Sequence, residues 1–171
     1  MKKFKDAIRS VPDFPKPGID FKDITTLLKD PKLLSGVIEQ MLIPFSSVNI
    51  HKIAGIEARG FIFAPAMATA CGAGFIPIRK PGKLPAETVS VEYQLEYGTD
   101  KVEIHRDAVT KGENVLLVDD LLATGGTALA AIQLLEKLGA NIIGISFLVE
   151  LDFLKGREKF ADYNIHSLVH Y

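Results

Sequence analysis

The sequence contains one cysteine, Cys71, so no disulfide can form within the chain, and a reducing, cytoplasmic setting is expected. Its neighbours are small and apolar, and no histidine or asparagine partner is suggested nearby. Cys71 therefore reads as a core thiol rather than a nucleophile. No apolar run approaches the ~18 residues a membrane-spanning helix needs. The opening Met1–Lys5 is charged and lacks an apolar h-region, so no secretory signal is expected. Neither sign of charge dominates: 20 Lys+Arg against 21 Asp+Glu gives a net charge of −1, which argues against a general affinity for nucleic acid. No internal repeat, low-complexity tract or linker interrupts the chain. At 171 residues and 47% apolar content, one globular domain over 1–171 is expected, burying about 70% of the surface its unfolded chain exposes.

What is present concentrates in Asn114–Thr127, N-V-L-L-V-D-D-L-L-A-T-G-G-T. Val115–Val118 reads as a fully buried strand. Asp119 and Asp120 follow, where the strand is expected to leave the sheet. Then come Ala123, Thr124, Gly125, Gly126 and Thr127, and a helical pattern to about Leu138, with Gly139 as its cap. Strand, acidic pair, small-residue turn and helix together describe an anion site at a helix N-terminus. Glycines let backbone N–H groups approach a ligand closely. The first N–H groups of the helix lack partners within it, and the helix dipole favours negative charge there by ~0.3–1 kcal/mol. Thr124 and Thr127 add hydroxyl donors, so a phosphate monoester suits the turn. The aspartates would repel a phosphate within the same turn. Placed several residues earlier, they suit vicinal hydroxyls or a divalent cation. In the plainer reading, Gly-Gly is only a loop and Asp-Asp a solvated strand end. Adjacent carboxylates at the edge of a buried strand nevertheless repel each other unless something positive or hydroxyl-rich joins them. The stretch is neither a P-loop, which needs Gly-Lys-Ser/Thr, nor a G-x-G-x-x-G turn.

This stretch resembles the phosphoribosyl pyrophosphate motif of the type I phosphoribosyltransferases, and its L-L-A-T-G-G-T ending most resembles the adenine phosphoribosyltransferase family. The rest of the chain can be compared with that pattern. Apolar spacing predicts a short helix over 2–10, broken by Pro12, Pro15 and Pro17. Ile19, Asp20, Phe21 and Lys22 lie in P-G-I-D-F-K-D-I, which resembles the family's hood over the base. Taken alone, Phe21 is either a core plug or a stacking face. Asp30-Pro31 opens a helix, Asp as N-cap and Pro at its first position, and Pro44 ends it. A strand over Lys52–Ile56 precedes Glu57, Ala58 and Arg59, then an apolar helix over Phe61–Ala70. Arg59 taken alone is a surface arginine or a phosphate partner; I-E-A-R-G-F resembles the family's pyrophosphate loop. A strand over Gly74–Arg79 leads into Arg79, Lys80 and Lys83, in a loop stiffened by Pro81 and Pro85. Such a charge run is commonly solvated, but it resembles the family's R-K-x-G-K-L-P segment. Alternation over Thr88–Tyr97 and Lys101–Asp107 predicts a β-hairpin, about 86–108, a candidate lid. By composition Glu96 is a surface carboxylate. The resemblance of L-E-Y-G to the family's segment implies that Glu96 handles a proton at the base, with Tyr97 in the lid. A strand over Asn141–Val149, a turn or short helix over Lys155–Glu158 and a strand near Ile165–Val169 complete the chain, and L-V-E-L-x-x-L-K-G-R-E again resembles the family.

Alternating strands and helices predict an α/β fold, a doubly wound, mainly parallel sheet flanked by helices. The resemblance implies the type I phosphoribosyltransferase fold, with a small hood mainly over 1–28 and the hairpin lid. It also implies purine salvage: adenine and phosphoribosyl pyrophosphate give AMP and pyrophosphate. Glu96, Asp119, Asp120 and Arg59 would be catalytic, with Mg²⁺ held by substrate oxygens and water near Asp119 and Asp120. A homodimer is implied; no nucleic-acid or membrane partner is expected. The alternatives are the same fold acting on guanine, xanthine or orotate, a nucleotide-sensing regulator that binds nucleic acid, and a donor-synthesising pyrophosphokinase. The last should be longer and carry an ATP site.

Overall fold

A computed structural model describes residues 1–94 and 99–171. Helix α1 (Lys2–Ala7) leads into an antiparallel pair, β1 (Arg9–Pro12) with β2 (Asp20–Asp23). Helices α2 (Thr25–Leu28) and α3 (Pro31–Leu42) follow, then β3 (Lys52–Ile56), α4 (Gly60–Cys71) and β4 (Gly74–Ile78). A hairpin of β5 (Thr88–Gln94) and β6 (Thr99–His105) precedes β7 (Asn114–Leu122), α5 (Gly126–Lys137), β8 (Asn141–Glu150) and β9 (Ile165–His170). The central sheet is parallel, with strand order β4-β3-β7-β8-β9. The chain therefore runs outward from β3 to β4, returns to the other side of β3 and continues to β9. The switch point lies between β3 and β7, and a ligand crevice is expected beyond their C-terminal ends.

Helices cover both faces, which is why the strands read as continuous apolar runs. Along β7 the side chains alternate: Val115 and Leu117 join the core under α5, while Leu116 and Val118 join the core under α3 and α4. The Asp30 cap forms as its sequence implies, Oδ1 accepting from the N–H groups of Lys32 at 2.8 Å and Leu33 at 3.1 Å. Pro44 falls in a 3₁₀ turn, Ile43–Phe45, just past the end of α3. The β5–β6 hairpin lays Val91, Val102 and Ile104 into the α5 core. It also joins the end of β4 through backbone hydrogen bonds between Arg79 and Glu103. Among the described residues, no helix is long and apolar enough to cross a membrane.

Three expectations are corrected. The first helix stops at Ala7, and Arg9–Pro12 is a strand instead, because Arg9 pairs with Asp23 across a register that runs Arg9↔Asp23 to Pro12↔Asp20. Strand β7 does not leave the sheet at the aspartates. It runs through them to Leu122, because β8 continues alongside with Leu121↔Val149 and Leu122↔Glu150. Cys71 is exposed rather than in the core: it ends α4, beyond Ala68, the last buried position of that helix.

Candidate active site

Beyond the ends of β3 and β7 a cavity of ≈ 340 Å³ is lined by Glu57–Arg59, Lys80 and residues 119–128. Its floor is the turn between β7 and α5. Gly125 holds φ at +78°, which L side chains rarely adopt, and a Cβ there would lie 2.6 Å from the Gly156 carbonyl oxygen. The turn closes tightly enough for Gly126, Thr127 and Ala128, the first turn of α5, to face the cavity. Their N–H groups have no partners within the helix, which makes this end of α5 an anion-binding surface.

Beside the turn stand the two aspartates. Asp120 is 5% exposed, and its Oδ2 lies 2.8 Å from Arg59 Nε. Asp119 Oδ1 accepts the Asp120 N–H at 2.9 Å. Burial, then the charge of Asp120, pushes the Asp119 carboxyl well up. Burial also raises Asp120, against the pull of Arg59. Among the described residues one guanidinium thus serves two adjacent carboxylates, which leaves the pair short of positive charge there. The Arg59 guanidinium also sits 5.5 Å from the centroid of the Phe21 ring, linking the acidic pair to β2.

The opposite wall is built from ion pairs. Glu57 Oε2 accepts from Arg79 Nε at 2.8 Å, and Glu57 Oε1 from the Lys80 N–H at 2.6 Å. Burial would raise the Glu57 carboxyl, but these bonds hold it below its ordinary value. Arg79 Nη1 also donates to the Lys83 carbonyl at 3.1 Å. The Lys80 ammonium is engaged by Asp100 and donates to the Tyr93 hydroxyl at 3.1 Å. Burial lowers its pKa, yet the bonds to Asp100 and Tyr93 leave it raised. The Tyr93 hydroxyl donates to Asp100 at 3.2 Å and accepts from Thr127 Oγ1 at 3.3 Å.

The structure thus brings Glu57, Ala58, Arg59, Lys80, Asp119, Asp120 and Ala123–Thr127 around one cavity. Arg79 and Lys83 stand behind it. Ile19, Asp20, Phe21 and Lys22 lie apart from its lining, reached through the contact of Arg59 with Phe21. Ile19 and Asp20 are exposed, and Lys22 pairs with Asp20 at 2.6 Å. Phe21 is half-buried and packs edge-on against Phe14, with centroids 5.2 Å apart, outside either core cluster. Glu96 and Tyr97 lie outside the described residues. The sequence reading missed Tyr93 and Asp100. Both fall in the stretch read only as a hairpin, and the Tyr93 hydroxyl was the available signal.

The comparisons with known proteins agree with this geometry. The family described as the phosphoribosyl transferase domain matches residues 24–169. The adenine phosphoribosyltransferase of Nitrosococcus oceani is 56% identical over 171 residues, covering 100% of both chains. The solved adenine phosphoribosyltransferase of Thermoanaerobacter pseudethanolicus superimposes with a TM-score of 0.96 at 53% identity, over 99% of each chain. That of Saccharomyces cerevisiae, complexed with adenine and a dideoxy-imino-altritol bisphosphate, gives 0.93 at 43% identity, over 98% of this chain and 97% of its own. A glycine turn at a helix N-terminus, a buried acidic pair and whole-length similarity to these enzymes agree: the chain belongs to the phosphoribosyl transferase family, among the adenine phosphoribosyltransferases.

Proposed function

We propose that this cavity carries out the purine-salvage transfer of the 5-phosphoribosyl group from phosphoribosyl pyrophosphate to adenine, giving AMP and pyrophosphate. The observation that carries the reading is the anion-binding turn set beside a buried acidic pair in one cavity. The Saccharomyces cerevisiae relative, complexed with adenine and a sugar-like bisphosphate, supports the substrate classes. In this reading Ala123–Thr127 hold the 5′-phosphate. Asp119 and Asp120 engage the ribose hydroxyls and stabilise positive charge on the ribosyl ring as the bond to pyrophosphate lengthens, where fixed charge counts most. Arg59, Lys80, Lys83 and Arg79, with the Glu57–Ala58 backbone, receive the leaving pyrophosphate. Ile19–Lys22 form the base pocket, with the Phe21 ring against adenine, and Glu96 handles the proton at N7. The hairpin over 86–108, with Tyr97, closes and excludes water that would hydrolyse the donor.

The donor set near the ribose is hard carboxylate oxygen short of positive charge, which fits Mg²⁺. Asp119 and Asp120 would hold the ion, which when bound would supply positive charge to the donor oxygens. The chain works in the cytoplasm as a homodimer, as one domain over 1–171 that carries its hood mainly over 1–28. Exposed apolar side chains on α4 (Ile62, 39%) and on β4 (Phe75, 37%) support the dimer. Product formation from adenine, guanine, hypoxanthine and orotate, each with the donor and Mg²⁺, tests the reading. Nucleotide from adenine alone supports it. Nucleotide from another base would retain the phosphate sites and overturn the base pocket.

A further inference from the structure

Behind the phosphate turn lies the L-K-G-R-E segment, to which the proposed reaction gives no task. Strand β8 ends at Glu150 beside Leu122, and the Leu151 N–H donates to the Leu122 carbonyl at 2.9 Å. The chain then passes through 3₁₀ turns at Asp152–Leu154 and Gly156–Phe160. Gly156 is pressed directly onto the turn: a Cβ there would stand 2.1 Å from the Ala123 carbonyl oxygen. Conversely, a Cβ on Gly125 would meet the Gly156 carbonyl at 2.6 Å and the Phe160 ring at 3.0 Å. The two backbones touch without side chains between them, so the curvature of 123–125 depends on where Gly156 sits.

The next residue fixes that place. Arg157 Nε and Nη2 donate to the two oxygens of Glu150 at 2.7 and 2.6 Å, a fork on a carboxylate that is only 3% exposed. Arg157 also holds the Glu150 carboxyl below its ordinary range. Asp152 and His170 come close enough to Glu150 to suggest a metal site among the described residues. Both Glu150 oxygens are already committed to Arg157, which makes the group a charged clasp instead.

We propose that Arg157 is a positioning residue for the 5′-phosphate: its fork on Glu150 holds Gly156 against Ala123–Gly125 and thereby sets the shape of the turn that receives the phosphate. The proposal rests on reading 124–127 as that turn.

The test uses the full chain carrying Arg157→Met or Arg157→Lys, with ribose 5-phosphate affinity by calorimetry and separate KM values for donor and adenine. Arg157→Met should weaken ribose 5-phosphate and raise the donor KM by about tenfold, the scale of one charge-assisted hydrogen bond. The adenine KM and the kcat of active enzyme should move far less. Arg157→Lys keeps the charge but loses the fork, and should fall between. A merely structural role would lower the fraction of active enzyme and leave both affinities unchanged, which would overturn the proposal. Should Arg157→Met fail to fold, Gly156→Ala presses on Ala123 directly, and the same selective loss is expected. A Thr124→Ala/Thr127→Ala variant separates the two levels. If it weakens ribose 5-phosphate while the Arg157 and Gly156 variants do not, the clasp falls and the turn stands. If it binds ribose 5-phosphate as the parent does, the reading of the turn falls and the proposal with it.

Discussion

The two sides of the cavity solve the same problem, holding anionic groups, by different means. Residues 123–127 carry no charged side chain; the turn works through helix N–H groups, two hydroxyls and glycine geometry. The facing wall works through cations that already have partners: Arg59 with Asp120, Arg79 with Glu57, and Lys80 with Asp100. An anion entering the turn has no carboxylate to displace, only the bond from Thr127 Oγ1 to the Tyr93 hydroxyl. One arriving at Lys80 competes with a carboxylate of the hairpin. The first side is therefore set by shape and backbone, the second by exchange of ionic partners. Mutations should separate them through geometry on one side and through salt and charge on the other.

The largest effect is expected where the two sides meet. Asp119→Asn should lower kcat by ~10²–10³, the scale of removing one preorganised charge-stabilising group, with a smaller change in donor KM. An unchanged kcat in steady-state assays would remove Asp119 from the transition state. The same variant should raise the thermal midpoint at neutral pH. The Asp119 carboxyl is raised by burial and then by Asp120. Its contribution is thus most favourable below the unfolded value of ~3.9 and is lost as pH rises through the folded value. At pH 7 the residue costs stability that a neutral amide does not.

On the ionic wall, substitutions at one pair should act in opposite directions. Lys80→Ala should raise donor KM about tenfold, as expected for losing a charge-assisted hydrogen bond. Asp100→Asn frees Lys80 and should lower donor KM by about 1.4- to fivefold, matching the ~0.2–1 kcal/mol of a partly exposed ion pair. The Asp100 effect should shrink as salt is raised. If both variants raise KM, the carboxylate assists the donor and does not compete with it.

The effect furthest from turnover concerns acid stability. Arg157 holds Glu150 below its ordinary value. The stability Glu150 provides is thus present above the unfolded value of ~4.3 and is lost as pH falls through the folded one. Glu150→Gln should cost ~1–3 kcal/mol near pH 7, on the scale of hydrogen bonds to a charged group, and progressively less below pH ~4.3. Denaturation at the two pH values checks the sign.

The contrast between the walls also explains what was legible in the sequence. The backbone-built side is local: buried run, small-residue turn and amphipathic helix stand in one stretch, and strand, turn and α5 follow in that order. The Asp30–Pro31 cap was legible for the same reason. Features fixed by distant partners were not. Arg9–Pro12 becomes a strand only because Asp20–Asp23 folds back beside it. The aspartates stay in the sheet only because β8 runs on beside them. The exposure of Cys71 depends on where the core ends beneath α4. The pairing of Lys80 with Asp100 and Tyr93 requires the hairpin to dock, and the seat of Gly156 on Ala123 requires the tail to return. The parallel sheet was readable from alternation of elements, but the β3–β7 switch point that gathers the cavity is a matter of strand order.

The most direct measurement is a crystal structure of the chain with AMP. The expected result places the phosphate on the N–H groups of the 124–127 turn, the ribose hydroxyls at Asp119 and Asp120, and the base near Phe21. A phosphate seated among Arg79, Lys80 and Lys83, with the turn vacant, would contradict the division of the site between its two walls.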